Sequence, residues 1–142
     1  MKTLKSIMLG MALILVSVAV NANPRSYDKK PTKQEVIDTY LNAVVHGKLD
    51  GINNAIDDEA QFNMQRGSNV NTLNKQQILN SLKSSENIEQ DCTCTKSVVQ
   101  DSDDTNVLKV EMKYGDFTRT DVVTTQRGPG GWKITKVDTS FK

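Results

Sequence analysis

From Asn106 to Phe141 the chain alternates apolar and polar positions with a period of two. Leu108, Val110, Met112 and Tyr114 fall on one side of an extended segment, and Val107, Lys109, Glu111 and Lys113 on the other, which predicts a half-buried strand. Gly115-Asp116 supplies a two-residue turn of the glycine-first type, so Tyr114 and Phe117 are expected opposite each other on one face. The return strand, Phe117 to Arg127, is rich in Thr and Val, and Arg127-Gly128-Pro129-Gly130-Gly131 ends it. Trp132-Lys133-Ile134 opens a last strand. Trp132 and Ile134 share one face while Val137, Thr139 and Phe141 share the other, which predicts a bulge near Thr135-Lys136.

Upstream the spacing turns helical. Thr32 with Glu35 forms a capping box, and Val36, Ile37, Tyr40, Leu41, Val44 and Val45 then make an apolar stripe that stops at His46-Gly47, where glycine can take a left-handed cap. A shorter helix from Asp50 is expected to bury Ile52, Ala55 and Ile56 and to end at Asp57-Asp58. Ala60, Phe62 and Met64 alternate with Gln61, Asn63 and Gln65 as a first strand, and Gly67-Ser68 turns the chain into a brief extended segment around Val70. Asn74 with Gln77 caps a third helix whose buried face is Ile78, Leu79 and Leu82. Ser84 to Glu89 reads as loop, Asp91 to Gln100 as a strand, and Asp101-Ser102-Asp103-Asp104 as a polar turn. Helices that precede a run of antiparallel strands predict an α+β fold rather than a doubly wound sheet.

The first 22 residues follow a different logic. Lys2 and Lys5 precede the apolar run Ile7 to Val20, too short for a stable membrane anchor, and Val20-Asn21-Ala22 provides the small residues of a cleavage site. The expectation is a signal peptide over 1–22, a flexible leader over 23–31 and one domain over 32–142, in a periplasmic or extracellular protein. No cysteine stands near the cut to carry a lipid. The 120 residues left of 142 suit a single core. Removing Lys2 and Lys5 leaves 16 basic and 17 acidic residues without long blocks of either sign, so nucleic acid, which needs a basic face, is a poor partner. The chain shows no internal repeat or low-complexity tract.

Several residues in this order carry a family resemblance: Tyr40 in the first helix, His46-Gly47-Lys48-Leu49-Asp50 after it, Phe62 in the first strand, Asp121 in the return strand, and Gly130-Gly131-Trp132-Lys133-Ile134 at the start of the last. Across residues 32–141 the chain resembles the nuclear transport factor 2-like (cystatin-like) superfamily, especially its bacterial lumazine-binding and ketosteroid-isomerase-like branch. The resemblance implies a strongly curved, mostly antiparallel sheet wrapped round the helices into a cone with a cavity at its open end. The superfamily holds isomerases, dehydratases and cyclases beside many non-catalytic binders, so the fold alone does not choose a function. It places Tyr40, Phe62, Met64, Met112, Tyr114, Arg119, Asp121 and Trp132 as candidate cavity residues. The His-Asp pair or Asp-Tyr-acid set of its enzymes has no residue-by-residue match here.

The individual chemistries narrow the choice. His46, the only histidine, lies in the last turn of a helix, where a cation suits the dipole, and reads as a solvent-facing helix end. Arg119 and Asp121 share the face of Met112 and Tyr114 if the Gly115-Asp116 turn sets the register. Asp121 is then a cavity-facing base or ligand acceptor; alternatively the two form an edge ion pair, or a one-residue slip turns both to water. Cys92 and Cys94, two apart on a strand, stand about 7 Å from each other against the Cβ separation of about 4 Å that a disulfide needs. With Met64 or Met112 they would suit Cu(I), yet two ligands without a defined third or fourth assign no metal; a local bulge closing a strained disulfide, or two cysteines simply packed or exposed, is the preferred reading, and no cofactor is expected.

The expected function is a non-catalytic binder of a small apolar or heterocyclic molecule, or of a partner, using the cone cavity. The alternatives are an isomerase, dehydratase or cyclase with Asp121 as base, and an interaction or immunity-type protein using the outer sheet face. A deep pocket with converging acid and donor groups favours the enzyme, an apolar one the binder, and a filled one the interaction protein. The mixed outer face, with Lys109, Glu111 and Lys113 opposite Val122, Thr120 and Thr118, predicts a monomer or weak homodimer.

Overall fold

The computed structural model describes residues 29–142, so the readings on the signal peptide and most of the leader lie outside the described residues. Helix α1 (Lys33–His46) and a single turn α2 (Ile52–Ala55) lead into β1 (Ile56–Arg66), β2 (Asn69–Leu73) and α3 (Lys75–Lys83). Four strands follow: β3 (Thr93–Asp101), β4 (Thr105–Lys113), β5 (Thr118–Gly128) and β6 (Gly131–Phe141). One curved, unclosed six-stranded sheet runs in the order β2-β1-β6-β5-β4-β3, antiparallel except where β1 meets β6. The α+β class and the packing of helices on one face of a curved sheet are as expected.

The helix ends form for the reasons read from the sequence. Glu35 N donates to Thr32 Oγ1 and Thr32 N to the Glu35 carboxylate, and Asn74 with Gln77 repeats the arrangement at α3. Gly47 caps α1 at φ 64°. Its neighbourhood is crowded as well as left-handed. The Gly47 carbonyl accepts from Asn87 N at 2.8 Å, and a Cβ at Gly47 would lie 2.7 Å from Asn87 N, Ile88 N and Ser85 O.

The β4–β5 register is the one the turn dictates: Lys113 pairs with Thr118, Met112 with Arg119 and Val110 with Asp121. Tyr114 and Phe117 stack with ring centres 4.5 Å apart. The bulge falls at Thr135, where the pairing shifts from Thr124–Lys136 to Thr125–Ile134. It lets Ile134 and Val137, three apart, both point into the core.

Two boundaries differ from expectation. The second helix is one turn long, and Ile56, expected on it, is the first residue of β1 because it pairs with Ile134 in the parallel ladder. Asp57 and Asp58 therefore lie in a strand, inside the irregular stretch between Ile56 and Gln61. The last leader residues, Lys29 to Pro31, are held by the fold: Trp132 N donates to Pro31 O at 3.0 Å and Lys29 Nζ reaches Glu35 at 2.7 Å. No described helix is long and apolar enough to cross a membrane.

Gly47→Ala is expected to cost about 2–4 kcal/mol, the left-handed strain plus displacement of loop backbone. Gly67→Ala, also left-handed at φ 61° but in open space, is expected to cost about 1 kcal/mol. Urea unfolding of both variants checks the difference; equal losses would show that the packing of the Ser85–Ile88 loop on Gly47 is unimportant.

Candidate functional site

Register and pleat arrange the inner face in rows across the sheet. One row joins Lys96 of β3, Val110 of β4, Asp121 of β5, Thr139 of β6 and Met64 of β1; the row beside it joins Cys94, Met112, Arg119 and Phe141. Asp121 is thus in the middle of the apolar face, and it is fully buried. Neither a slipped strand nor a solvent-exposed edge pair describes it.

The carboxylate is surrounded by donors. Arg119 Nε donates to Oδ1 and Arg119 Nη2 to Oδ2, each at 2.9 Å, a bidentate fork. Thr139 Oγ1, across the β5–β6 ladder, donates to Oδ1 at 2.8 Å, and Tyr40 Oη, from the middle of α1, donates to Oδ2 at 2.6 Å. A carboxylate has about four acceptor positions, and four donors fill them. Taking a proton from anything else would require one of these bonds to break.

The same contacts fix the protonation of the partners. Burial first, and then the Asp121 charge, push the Tyr40 hydroxyl well above its ordinary pKa, so Tyr40 is a permanent donor. Burial pulls the Arg119 guanidinium down, but the Asp121 charge and hydrogen bonds outweigh it, and the net shift is upward.

Arg119 itself is still partly exposed, its side chain 20% accessible. Two of its five N–H groups go to Asp121, and no other acceptor among the described residues takes the remaining three. Tyr114 stands beside it, half-buried, its hydroxyl donating to Gln90 Oε1 at 3.1 Å. Burial and then the neighbouring Cys92 thiol raise the Tyr114 pKa. Met64, Leu82 and Cys92 are partly buried against the core.

The remaining candidates are dispersed. Phe62 and Met112 are core residues, buried among the strands. Trp132 is not with the others: it lies seven residues from Thr139 along β6, against the start of α1, with Lys33 Nζ 5.5 Å from its ring centre. An aromatic after a glycine turn carries no information about which end of the sheet it occupies; only the register does. His46 is exposed and its Nδ1 is 2.6 Å from Glu89 Oε1. Cys92 and Cys94 are free thiols, and burial followed by the nearby Cys92 raises the Cys94 pKa. Two participants escaped the sequence reading, Thr139 as a carboxylate donor and Gln90 as the Tyr114 partner. The alternation of Val137, Thr139 and Phe141 put Thr139 on an otherwise apolar face, the one signal available for it.

The arrangement, helices laid in one curved, unclosed six-stranded sheet, is the nuclear transport factor 2-like fold. The family described as "Putative lumazine-binding" matches residues 28–138, and the chain belongs to it. Among solved structures, an NTF-2-like protein of unknown function from Silicibacter pomeroyi is similar at 16% identity and TM-score 0.64, over 77% of this chain and 92% of that one. A cystatin-like fold protein from Burkholderia xenovorans is similar at 17% identity and TM-score 0.60, over 76% and 87%. A protein described as a "putative ketosteroid isomerase" from Parabacteroides distasonis is similar at 14% identity and TM-score 0.54, over 77% and 86%. At these identities the likeness is one of fold. No curated protein matches the chain.

The buried hydroxyl makes a pH prediction. Tyrosine ionises near pH 10 when unfolded, whereas Tyr40 keeps its proton in the fold to higher pH. Its stabilising contribution is therefore complete below about pH 10 and is lost as pH rises beyond that, because the unfolded chain then binds fewer protons. Tyr40→Phe, which removes one donor from a buried carboxylate, is expected to lower stability by about 1.5–3 kcal/mol at neutral pH. It should also flatten the fall in stability above pH 10. Urea midpoints at pH 7, 10 and 11 check both; an unchanged fall in the variant would assign it to other groups.

Proposed function

We propose that this chain is an exported, non-catalytic binder of a small heterocyclic or apolar molecule, held at the open end of the cone. The filled centre would by itself favour an interaction protein; the saturation of Asp121 removes the base, and the free N–H groups of Arg119 beside Tyr114 carry the reading to a binder at the rim. A general base needs a free lone pair within hydrogen-bond reach of the proton it takes. Asp121 has its four acceptor positions occupied and no exposure. It acts instead as the anchor that holds Arg119 still, with three N–H groups directed away from the anion.

A cation fixed beside the Tyr114 ring suits a flat ligand with carbonyl acceptors, and the family to which the chain belongs is described by such a ligand class. Export is supported by the basic start, the short apolar run and Val20-Asn21-Ala22. The outer sheet face supports a monomer or weak homodimer, since ion pairs such as Lys109–Glu111 and Lys136–Asp138 and the Asn63–Asp138 hydrogen bond occupy it in place of an apolar centre. A dimer that persists at nanomolar concentration in analytical ultracentrifugation would contradict that.

Lumazine, a fluorescent bicyclic dione, is the direct probe. Fluorescence titration is expected to show saturable binding, with Arg119→Lys, which keeps the charge and loses the fork, weakening it about tenfold. Tyr114→Leu is expected to weaken it roughly threefold to tenfold by removing the ring face. Recovered ligand should be chemically unchanged. Isomerase or dehydratase turnover that disappears in Asp121→Asn while ligand affinity persists would replace this reading with the enzyme.

A further inference from the structure

On the β3 side of the inner face, the first half of α1 and the strands β3 and β4 leave a groove of about 300 Å³ between them. Ile37, Leu108 and Val98 give it an apolar floor and wall, and Val98 is 64% exposed although it faces the helical side of the sheet. Of the row through Asp121 only Lys96, two strands away, contributes to it.

One buried polar atom in this groove has no partner. Asn106 is only 3% exposed, and its Oδ1 receives no hydrogen bond. The orientation of the amide follows from its neighbour: Nδ2 donates to Asp101 Oδ1 at 3.3 Å, and the reverse orientation would set oxygen against a carboxylate. Asp101 is held ionised by Lys33, whose ammonium also donates to Oδ1. The orphan is therefore an acceptor. Leaving such a group unsatisfied carries a desolvation penalty that a donor entering the groove would remove.

The Asn106 end presents the orphan amide oxygen and the Asp101 carboxylate, whose Oδ1 is paired with the Lys33 ammonium and whose Oδ2 takes no donor among the described residues. Lys96, on β3 opposite Val110, has no acidic partner among the described residues. Four residues of β4 separate that pairing from Asn106, about 13 Å at strand spacing. The lysine arm shortens the gap, so about two or three extended residues bridge it.

We propose that this groove is a second ligand site, which takes a short apolar peptide of about three residues by its two charged ends. The amino terminus donates to Asn106 Oδ1 and Asp101, the carboxylate meets Lys96, and an apolar side chain rests on Ile37, Leu108 and Val98. This site does not depend on the binding proposed at Arg119.

The tripeptide Val-Ala-Val, titrated into the isotope-labelled protein and followed by amide NMR, tests it. Saturable shifts are expected at Ile37, Val98, Asn106 and Leu108. N-acetylation of the peptide, C-amidation, Asn106→Leu and Lys96→Met are each expected to weaken binding at least tenfold, while excess lumazine leaves it unchanged. Lys96 is exposed, so its variant reports even if Asn106→Leu fails to fold. Three results with the unsubstituted protein would overturn the proposal: no shifts at millimolar peptide, equal affinity for the doubly capped peptide, or hexanoate binding as tightly as the tripeptide. Unweakened binding to Asn106→Leu would do the same and would assign the orphan oxygen to solvent.

Discussion

Everything in the interior is arranged around a negative charge that has no access to water. Removing an isolated carboxylate from solvent is costly enough that the group would ordinarily take up a proton, and a buried ion pair regains that cost only when its geometry is good and its spare lone pairs are satisfied. Asp121 meets both conditions, with a bidentate guanidinium two residues before it on the same strand and hydroxyls from Thr139 and Tyr40 on its remaining positions. Because those donors come from β5, β6 and α1, the ion pair also fixes where the helix lies on the sheet. An apolar set of similar volume would match it for stability. It would not set the rotation of α1 as narrowly, because only one rotation brings the Tyr40 hydroxyl to Oδ2.

Much of this was legible in one dimension. The alternation through β4, the Gly115-Asp116 turn and the two capping boxes each depend on residues within a few positions of one another, and each formed as read. That Arg119 and Asp121 share an apolar face also followed from local spacing. What could not be read is whether that face is covered. The decision rests on Tyr40, 81 residues away in sequence, closing over the carboxylate. Trp132 failed for a related reason, since its position relative to Asp121 depends on the sheet register and not on its neighbours. At Ile56 a long-range constraint overrode a local one. Ile52, Ala55 and Ile56 have helical spacing, yet pairing with Ile134 draws Ile56 into β1.

The filled centre changes how the fold can be used. A cone with an open cavity offers one deep site, whereas here Val110, Asp121, Thr139 and Tyr40 close its middle. The free hydrogen-bonding capacity lies at the two ends, and it has opposite character. Arg119 leaves donors toward the Tyr114 end, and Asn106 leaves an acceptor toward the Lys33 end. Ligands suited to one end are mismatched at the other. A carbonyl-rich ring would leave the Asn106 oxygen without a donor, and an ammonium would meet a guanidinium at Arg119.

This polarity also bears on whether the ends communicate. Coupling between two sites requires an element with two arrangements that both ligands bias. The element between these ends is α1, with Ile37 in the groove at one end and Tyr40 pinned one turn later to a carboxylate whose acceptor positions are all filled. Shifting α1 would break the Tyr40 bond and leave the buried anion short of a donor, a cost of about 1.5–3 kcal/mol, comparable to a typical allosteric coupling energy of about 1–3 kcal/mol. A ligand at either end has nothing to gain from that shift, since neither end needs the helix elsewhere. An ion pair that holds α1 in one position thus works against coupling between the two proposed ends.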